Sequence, residues 1–186
     1  AARSVLREAG MDAIDAMIKG LSHPHWRVRM HCAGFMDHLA INACIAPLIP
    51  LVDDENHHVR RMAIHSLSCQ ACKVSPLELS SSEKQVAIAS LKREINDKHR
   101  RIRVDALYAL FEVDVDEQQQ IEEFIPIALE MLSDRSGRVR RAAARCLCQF
   151  PNHVPLRPVL RVFLKETRPT TYNMIKRLVE MILNSE

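Results

Sequence analysis

Two cysteines and a histidine share one face of a predicted helix, at a spacing that could hold a metal ion. They are His65, Cys69 and Cys72, and imidazole and thiolate are groups that Zn²⁺ prefers. A structural zinc site takes four ligands from different segments, however, and no second cysteine pair follows at finger spacing. A redox pair would lie on a turn between a strand and a helix, whereas this pair lies in a helical pattern. We therefore predict no metal and no cofactor, and we interpret the cysteines as small apolar residues of helix packing.

Arginine and histidine recur on one side of four predicted helices. On a helical wheel of about 100° per residue, this side lies opposite the apolar residue near the start of each helix. It carries Arg27, His58, Arg61, His65, Arg101, Tyr108, Arg138, Arg141 and Arg145. Such a side could bind an acidic helix, an acidic tail or a phosphate backbone. Few aromatic residues interrupt the cations, which favours an acidic protein segment over nucleic acid.

The composition favours helices. Of the 186 residues, 47% are hydrophobic, only 4% are aromatic and 4 are glycines, which suits helices packed through aliphatic side chains. No apolar run approaches the roughly 20 residues of a membrane span, and the pattern of a secretory leader is absent. We therefore expect reduced thiols and a cytoplasmic or nuclear protein. The net charge of +3 is too small to indicate nucleic acid by itself.

A polar turn followed by a helix occurs four times. The copies cover residues 23–36, 54–67, 97–110 and 134–147. Their first apolar residues are 31, 43 and 37 positions apart, at Val28, Val59, Ile102 and Val139. This spacing is near the period of two-helix repeats. The predicted repeats cover about residues 11–40, 45–72, 84–113, 117–150 and 156–184.

Local signals mark some of the helix boundaries. The two prolines within residues 45–52 predict a short or kinked first helix in the second repeat. Ser80 and Glu83 have the spacing of a capping box before the next helix, and Ser82 with Gln85 is an alternative register.

The phrase Asp-x-x-x-x-Val-Arg-x-x-Ala-x-x-x-Leu resembles the HEAT repeat, an antiparallel helix pair that stacks into an α-solenoid. The second copy carries it as Asp54, Val59, Arg60, Ala63 and Leu67. The third and fourth copies match in the same register, whereas the first has a histidine in place of the aspartate and a cysteine in place of the alanine. The final pair has the layout without the Asp and the Val-Arg, so it resembles a divergent or capping repeat.

The resemblance implies an all-α, right-handed α-solenoid of about five helix pairs, forming a single domain over residues 1–186. It also implies that the aspartates of the phrase bond to helix starts and pair with its arginines, in the same or the next repeat. The residues concerned are Asp54, Arg60, Asp97, Arg103, Asp134 and Arg140. Second helices line the concave surface of such solenoids, so the Arg- and His-rich side is expected on the usual docking surface.

We therefore expect a non-enzymatic protein-interaction scaffold or adaptor that binds an acidic partner on its concave face. The alternative is a nucleic-acid-binding module that uses the same arginines. Among HEAT-like enzymes, the deoxyhypusine hydroxylases carry paired His-Glu motifs for a di-iron centre, and this chain has no His-Glu dipeptide. A bilin-lyase-like enzyme or accessory subunit is the remote alternative, because no compact acid–base or nucleophile constellation supports it.

Overall fold

The computed structural model describes residues 10–37, 45–68, 79–113 and 115–185. Within these ranges every regular element is helical and no strand occurs, which confirms the predicted all-α fold. The chain divides into two compact units, residues 1–112 and 113–186. No helix in the described ranges is both long enough and apolar enough to cross a bilayer.

Unit 1 contains three helix pairs in its described part. Its elements are α1 (Gly10–Gly20), α2 (Trp26–Asp37), α3 (Ile45–Leu48, continued by a 3₁₀ turn at Ile49–Asp53), α4 (His57–Ser68), α5 (Ser81–Glu94) and α6 (Arg100–Glu112). The second helices α2, α4 and α6 pack side by side, while α1 packs on α2 and α5 on α6. The short α3 confirms the effect expected of its prolines. The Ser80–Glu83 capping box is present, and Ser80 N donates to Glu83 Oε2 at 2.9 Å.

Unit 2 contains two helix pairs in its described part. Its elements are α7 (Glu117–Gln119), a π-helical turn (Gln120–Phe124), α8 (Ile125–Met131), α9 (Gly137–Leu147), a 3₁₀ turn (Pro151–His153), α10 (Leu156–Phe163) and α11 (Pro169–Leu183). The π-helical turn leads directly into Pro126, which has no N–H to donate to the preceding turn. The second helix α9 packs against α8 and α11, and α10 packs against α11.

The repeated apolar positions form the core in three of the four copies. Val59, Ile102 and Val139 are at most 1% exposed, and the alanines four residues after them are fully buried. Val28, at the same position in the first copy, is 36% exposed and does not belong to the core. Val28 lies in α2, the second helix of the first described pair. No earlier second helix in the described ranges covers it. The helices α2 and α4 approach closely at Gly34, where a Cβ would lie 3.1 Å from Met62 Sδ.

Arg60 connects the turn of its own repeat to two carboxylates of the next repeat. Its Nη1 donates to the carbonyl oxygen of Asp54 at 2.9 Å, and its Nε donates to Glu94 Oε2 at 2.9 Å. Its Nη2 donates to the carboxylate of Asp97. All three nitrogens of the guanidinium are therefore satisfied in a site where the arginine side chain is only 11% exposed.

Two more arginines occupy the same position in their repeats. Arg29 donates from Nε and Nη2 to Asp54, at 2.7 and 2.9 Å. Arg140 donates from Nε and Nη2 to Glu166, at 2.6 and 2.9 Å. Both also donate from Nη1 to the carbonyl of the residue six positions earlier, at 2.8 Å. We call these three arginines and the carboxylates that they bind the arginine ladder.

The acidic residues of the turns have a second role as helix caps. Asp54, Asp97 and Asp134 accept from the backbone N–H two residues later, at 2.5–2.8 Å. In the first copy His23 Nδ1 takes this role at 3.0 Å, and in the last repeat Glu166 takes it at 2.9 Å. The final pair lacks the Asp of the phrase, as its sequence indicates, and Glu166 supplies a carboxylate in its place.

The expected Asp–Arg pairs use different acceptor atoms within a repeat and between repeats. Within one repeat the arginine bonds the backbone carbonyl of the aspartate, as Arg103 Nη1 does to Asp97 at 2.8 Å. The carboxylate itself bonds the arginine of the preceding repeat, as Asp97 does with Arg60. The turns at Asp54 and Asp97 thus each accept from two arginines, one of their own repeat and one of the preceding repeat.

Replacing Arg60 by alanine should destabilise unit 1 far more than replacing Arg93. The carboxylates that bind Arg60, those of Glu94 and Asp97, are 12% and 7% exposed. Loss of the cation leaves them buried and uncompensated, which should lower the free energy of unfolding by about 3 kcal/mol or more. Arg93 pairs with Asp53 where the two side chains are 58% and 44% exposed, and Arg93→Ala should cost much less, because water screens an exposed pair.

Urea unfolding followed by tryptophan fluorescence measures both variants, because the single tryptophan of the chain, Trp26, lies in α2 of unit 1. Equal losses in the two variants would show that the ladder contributes no more than a surface ion pair.

Acid should weaken unit 2 through Glu166. The hydrogen bond from Arg140 holds the pKa of Glu166 below its usual 4.5, against burial, which raises it. As the pH falls, the unfolded chain takes up this proton first. The stabilisation is therefore complete above about pH 4.5 and is lost as the pH falls through the folded-state pKa. Glu166→Gln should be less stable than the wild type at neutral pH and should lose less stability on acidification, as measured by circular dichroism in urea. Parallel pH curves for the two proteins would contradict this assignment.

Candidate binding surface

The predicted cations near the starts of α2, α4 and α6 lie on neighbouring helices of unit 1. Arg27, His58 and Arg101 are exposed, and the side chain of Arg61 on α4 is 50% exposed. Because the three helices pack side by side, side chains in their first turns meet across the helix boundaries.

Five aromatic rings cross these first turns in the order His25, Trp26, His58, His57 and His99. Successive ring centroids are 6.2, 5.3, 4.0 and 4.1 Å apart. Three of the four ring pairs are stacked and the His57–His58 pair is tilted by 36°. The guanidinium carbon of Arg27 lies 5.3 Å from the ring centroid of Trp26, within the range of a cation–π interaction. We call these five rings the ring row.

A pocket of about 310 Å³ lies beside the histidines of the ring row. Its lining residues are His57, His58, Arg61, His99, Arg100, Arg101 and Ile102, and none of them is acidic. Arg100 and Arg101 are exposed and have no ion-pair partner in the described ranges. We call this the Arg–His pocket. It presents N–H donors and positive charge, which are the groups that bind an anion.

The electrostatics of the pocket keep one histidine neutral. Burial lowers the pKa of His57 below its usual 6.5, and the nearby His58, His99 and Arg60 lower it further, while Asp97 acts in the opposite direction. At neutral pH the His57 ring is therefore uncharged, and an anion bound beside it would favour its protonation. His99 Nδ1 lies 3.0 Å from Asp97 Oδ1, so the ladder holds the last ring of the row.

Two residues of the predicted face are bound within the protein. Arg61 Nε donates to Asp105 Oδ2 at 2.7 Å, across from α4 to α6. His65 Nε2 lies 3.4 Å from a carboxylate oxygen of the buried Asp37. Asp105 lies four residues after Arg101 on the same side of α6, so the second-helix side of unit 1 is basic at its N-terminal end and mixed beyond it. A wheel drawn for one helix misses such pairs because it contains no neighbouring helix.

The remaining predicted residues do not line the Arg–His pocket. Tyr108 is half-buried on α6. Arg138 and Arg145 are exposed on α9 and Arg141 is half-buried there. These three arginines belong to unit 2.

The wheel also missed residues that the structure brings to the surface, namely Trp26, His57, His99 and Arg100. They precede the first apolar residue of each copy by two or three positions: Trp26 and His57 by two, and His99 by three. Superposing the copies on that residue would have shown an aromatic ring two or three positions before it in three successive copies. This recurrence of aromatic residues was the signal in the sequence that could have predicted the ring row.

Within the described ranges, no group of three or more His, Cys, Asp and Glu side chains is arranged to hold a metal ion. The histidines of the ring row are among these side chains, and they form no such group. Cys69 and Cys72, the pair considered for zinc, lie outside the described residues.

Comparison with solved structures shows the same architecture in designed proteins. A designed armadillo repeat protein in complex with the peptide (KR)4 superposes with a TM-score of 0.66 at 17% identity, over 97% of this chain and 85% of the other. A computationally designed armadillo repeat protein for modular peptide recognition gives a TM-score of 0.63 at 16% identity, over 96% of this chain and 85% of the other. At these identities the likeness concerns the fold alone. Comparison with curated protein sequences gives no significant match.

Sequence-family comparison is more direct. The family model for HEAT repeats matches residues 14–111, and a single-repeat HEAT model matches residues 124–150. HEAT and armadillo repeat folds commonly serve as protein-binding scaffolds and are typically non-catalytic. Because residues 14–111 alone are more than half of the sequence, this chain belongs to the HEAT-repeat family.

Proposed function

We propose that this protein is a non-enzymatic interaction module that binds an acidic segment of a partner protein on the second-helix side of unit 1. The observation that carries the proposal is the Arg–His pocket, in which two arginines, Arg100 and Arg101, have no ion-pair partner in the described ranges. Exposed guanidinium groups bind carboxylates through paired, charge-assisted hydrogen bonds.

The ring row supplies the second part of such a site. Tryptophan and arginine are enriched among the residues that dominate binding energy in protein interfaces, because they combine a large apolar surface with polar atoms. Here Trp26 lies between His25 and His58 in the row, and Arg27 lies over its ring. A partner side chain can therefore contact the rings while its carboxylates bind the arginines.

The sign of the charge sets the expected partner chemistry. The designed armadillo neighbour is in complex with the peptide (KR)4, a sequence of basic residues. In this chain the corresponding kind of surface carries arginine and histidine, so we expect the complementary, acidic sequence.

Charge reversal at three positions should abolish binding of an acidic peptide. The variant Arg27→Glu, Arg100→Glu, Arg101→Glu changes exposed residues of the first turns of α2 and α6 that have no ion pair in the described ranges, so the fold should persist. A fluorescent peptide of about ten glutamates should bind the wild type, and the variant should bind it at least about thirtyfold more weakly in anisotropy titrations at about 0.15 M salt.

The matched control carries the same change of charge on first helices, at Lys19, Arg157 and Arg161, all of which are exposed. It should retain wild-type affinity. An equal loss in the control, or no binding by the wild type, would overturn the proposal.

Single-stranded nucleic acid is the second candidate, and the ring row is the observation that favours it. Bases stack on exposed rings beside arginines, independently of sequence. An oligonucleotide of about ten thymidines distinguishes the two candidates in the same assay. Tighter binding than the glutamate peptide, with an affinity that falls steeply as salt increases, would favour nucleic acid.

A further inference from the structure

The Arg–His pocket offers more donors than a carboxylate can use. Arg100 and Arg101 are unpaired in the described ranges, and three imidazoles and part of Arg61 line the same pocket. A carboxylate has one negative charge and two oxygens in a plane. A phosphorylated side chain carries about two negative charges near neutral pH and three strong acceptor oxygens. The charge and the number of donors therefore fit the phosphate better.

The surroundings of the pocket favour one phosphate over a chain of phosphates. On α6 the acidic Asp105 follows Arg101 by one turn and is 27% exposed. On α4 His65 lies close to a buried carboxylate rather than extending a basic track. Positive charge is thus concentrated at the first turns, and a nucleic-acid backbone continuing along these helices would meet Asp105. A single anionic group bound at the first turns would not.

Buried residues hold the lining of the pocket in place. Ile102, which closes its lining, is 1% exposed. The His99 ring contacts Asp97, and Asp97 is bound to Arg60 of the ladder. The donors therefore need little rearrangement to meet a ligand, which reduces the entropic cost of binding.

We infer that the Arg–His pocket binds a phosphoserine or phosphothreonine side chain within the partner segment, with Arg100 and Arg101 as its main cationic contacts. This inference rests on the proposed function, since it names the chemistry of the group that enters the pocket. Phosphorylation of the partner would then control binding.

The test compares three blocked pentapeptides, Gly-Gly-X-Gly-Gly, in which X is phosphoserine, glutamate or serine. Binding is followed by Trp26 fluorescence and by the NMR resonances of the His57, His58 and His99 imidazoles. The phosphoserine peptide should bind at least about tenfold more tightly than the glutamate peptide and should shift the three histidines. The double variant Arg100→Gln, Arg101→Gln should lose this preference, whereas the control Lys19→Gln, Arg157→Gln should keep it.

The other outcomes overturn the phosphate assignment alone or both proposals. Equal affinity for the phosphoserine and glutamate peptides would overturn the phosphate assignment and leave the acidic-partner proposal intact. The same holds if no pentapeptide binds while the longer glutamate peptide does. Failure of every pentapeptide and of the longer glutamate peptide to bind would overturn both proposals. Binding of an oligothymidine more tightly than the phosphoserine peptide, with steep salt dependence, would assign the pocket to nucleic acid instead.

Discussion

The fold depends on a buried guanidinium that must find partners in two repeats at once. A charge removed from water costs several kcal/mol unless its hydrogen bonds are all made. Arg60 meets this requirement with a carbonyl of its own turn and two carboxylates of the next repeat. The requirement therefore fixes the distance and rotation between successive helix pairs, which apolar contacts alone would leave free to slide. Arg29 and Arg140 impose the same constraint in their repeats.

The ladder also sets the position of the binding surface. The carboxylate of Asp97 binds Arg60 and at the same time caps α6 through the backbone of His99. The same carboxylate holds the His99 ring, which stacks on His57. Burial and the ladder's charges both act on His57, whose pKa is lowered. Asp97 thus connects the ion pair with Arg60 directly to the His99 ring of the candidate site. Weakening this ion pair should therefore disturb the Arg–His pocket before unit 1 unfolds.

The repeat could be predicted from the sequence because the repeated pattern reflects the geometry of one helix pair. Val59, Arg60 and Ala63 recur at fixed spacing, and the burial of Val59 and Ala63 follows from that spacing. The pattern failed where a different residue type performs the same task. Glu166 and His23 cap their turns as the aspartates do, since the site requires an acceptor at a given point in space and not a particular amino acid. The glutamate has one more methylene, and no consensus built on aspartate would include it.

The candidate site was harder to predict because it is made between helices. Whether Arg61 is free depends on Asp105, 44 residues away in the chain, and whether Trp26 is isolated depends on His58. These contacts follow from the lateral packing of α2, α4 and α6, which a single-helix projection does not contain. The projection grouped the cations on one side of the helices but gave them no neighbours.

The distribution of acidic residues explains why two arginines remain available. At the turn before α6, the carboxylates of Glu94 and Asp97 are both bound to Arg60 inside the ladder. None is left to neutralise Arg100 and Arg101, which start the next helix on the exposed side. A chain with a net charge of only +3 thus separates charge locally. At this turn the two acids point inward to hold the repeats together, and Arg100 and Arg101 point outward, where their field is available to an anionic ligand.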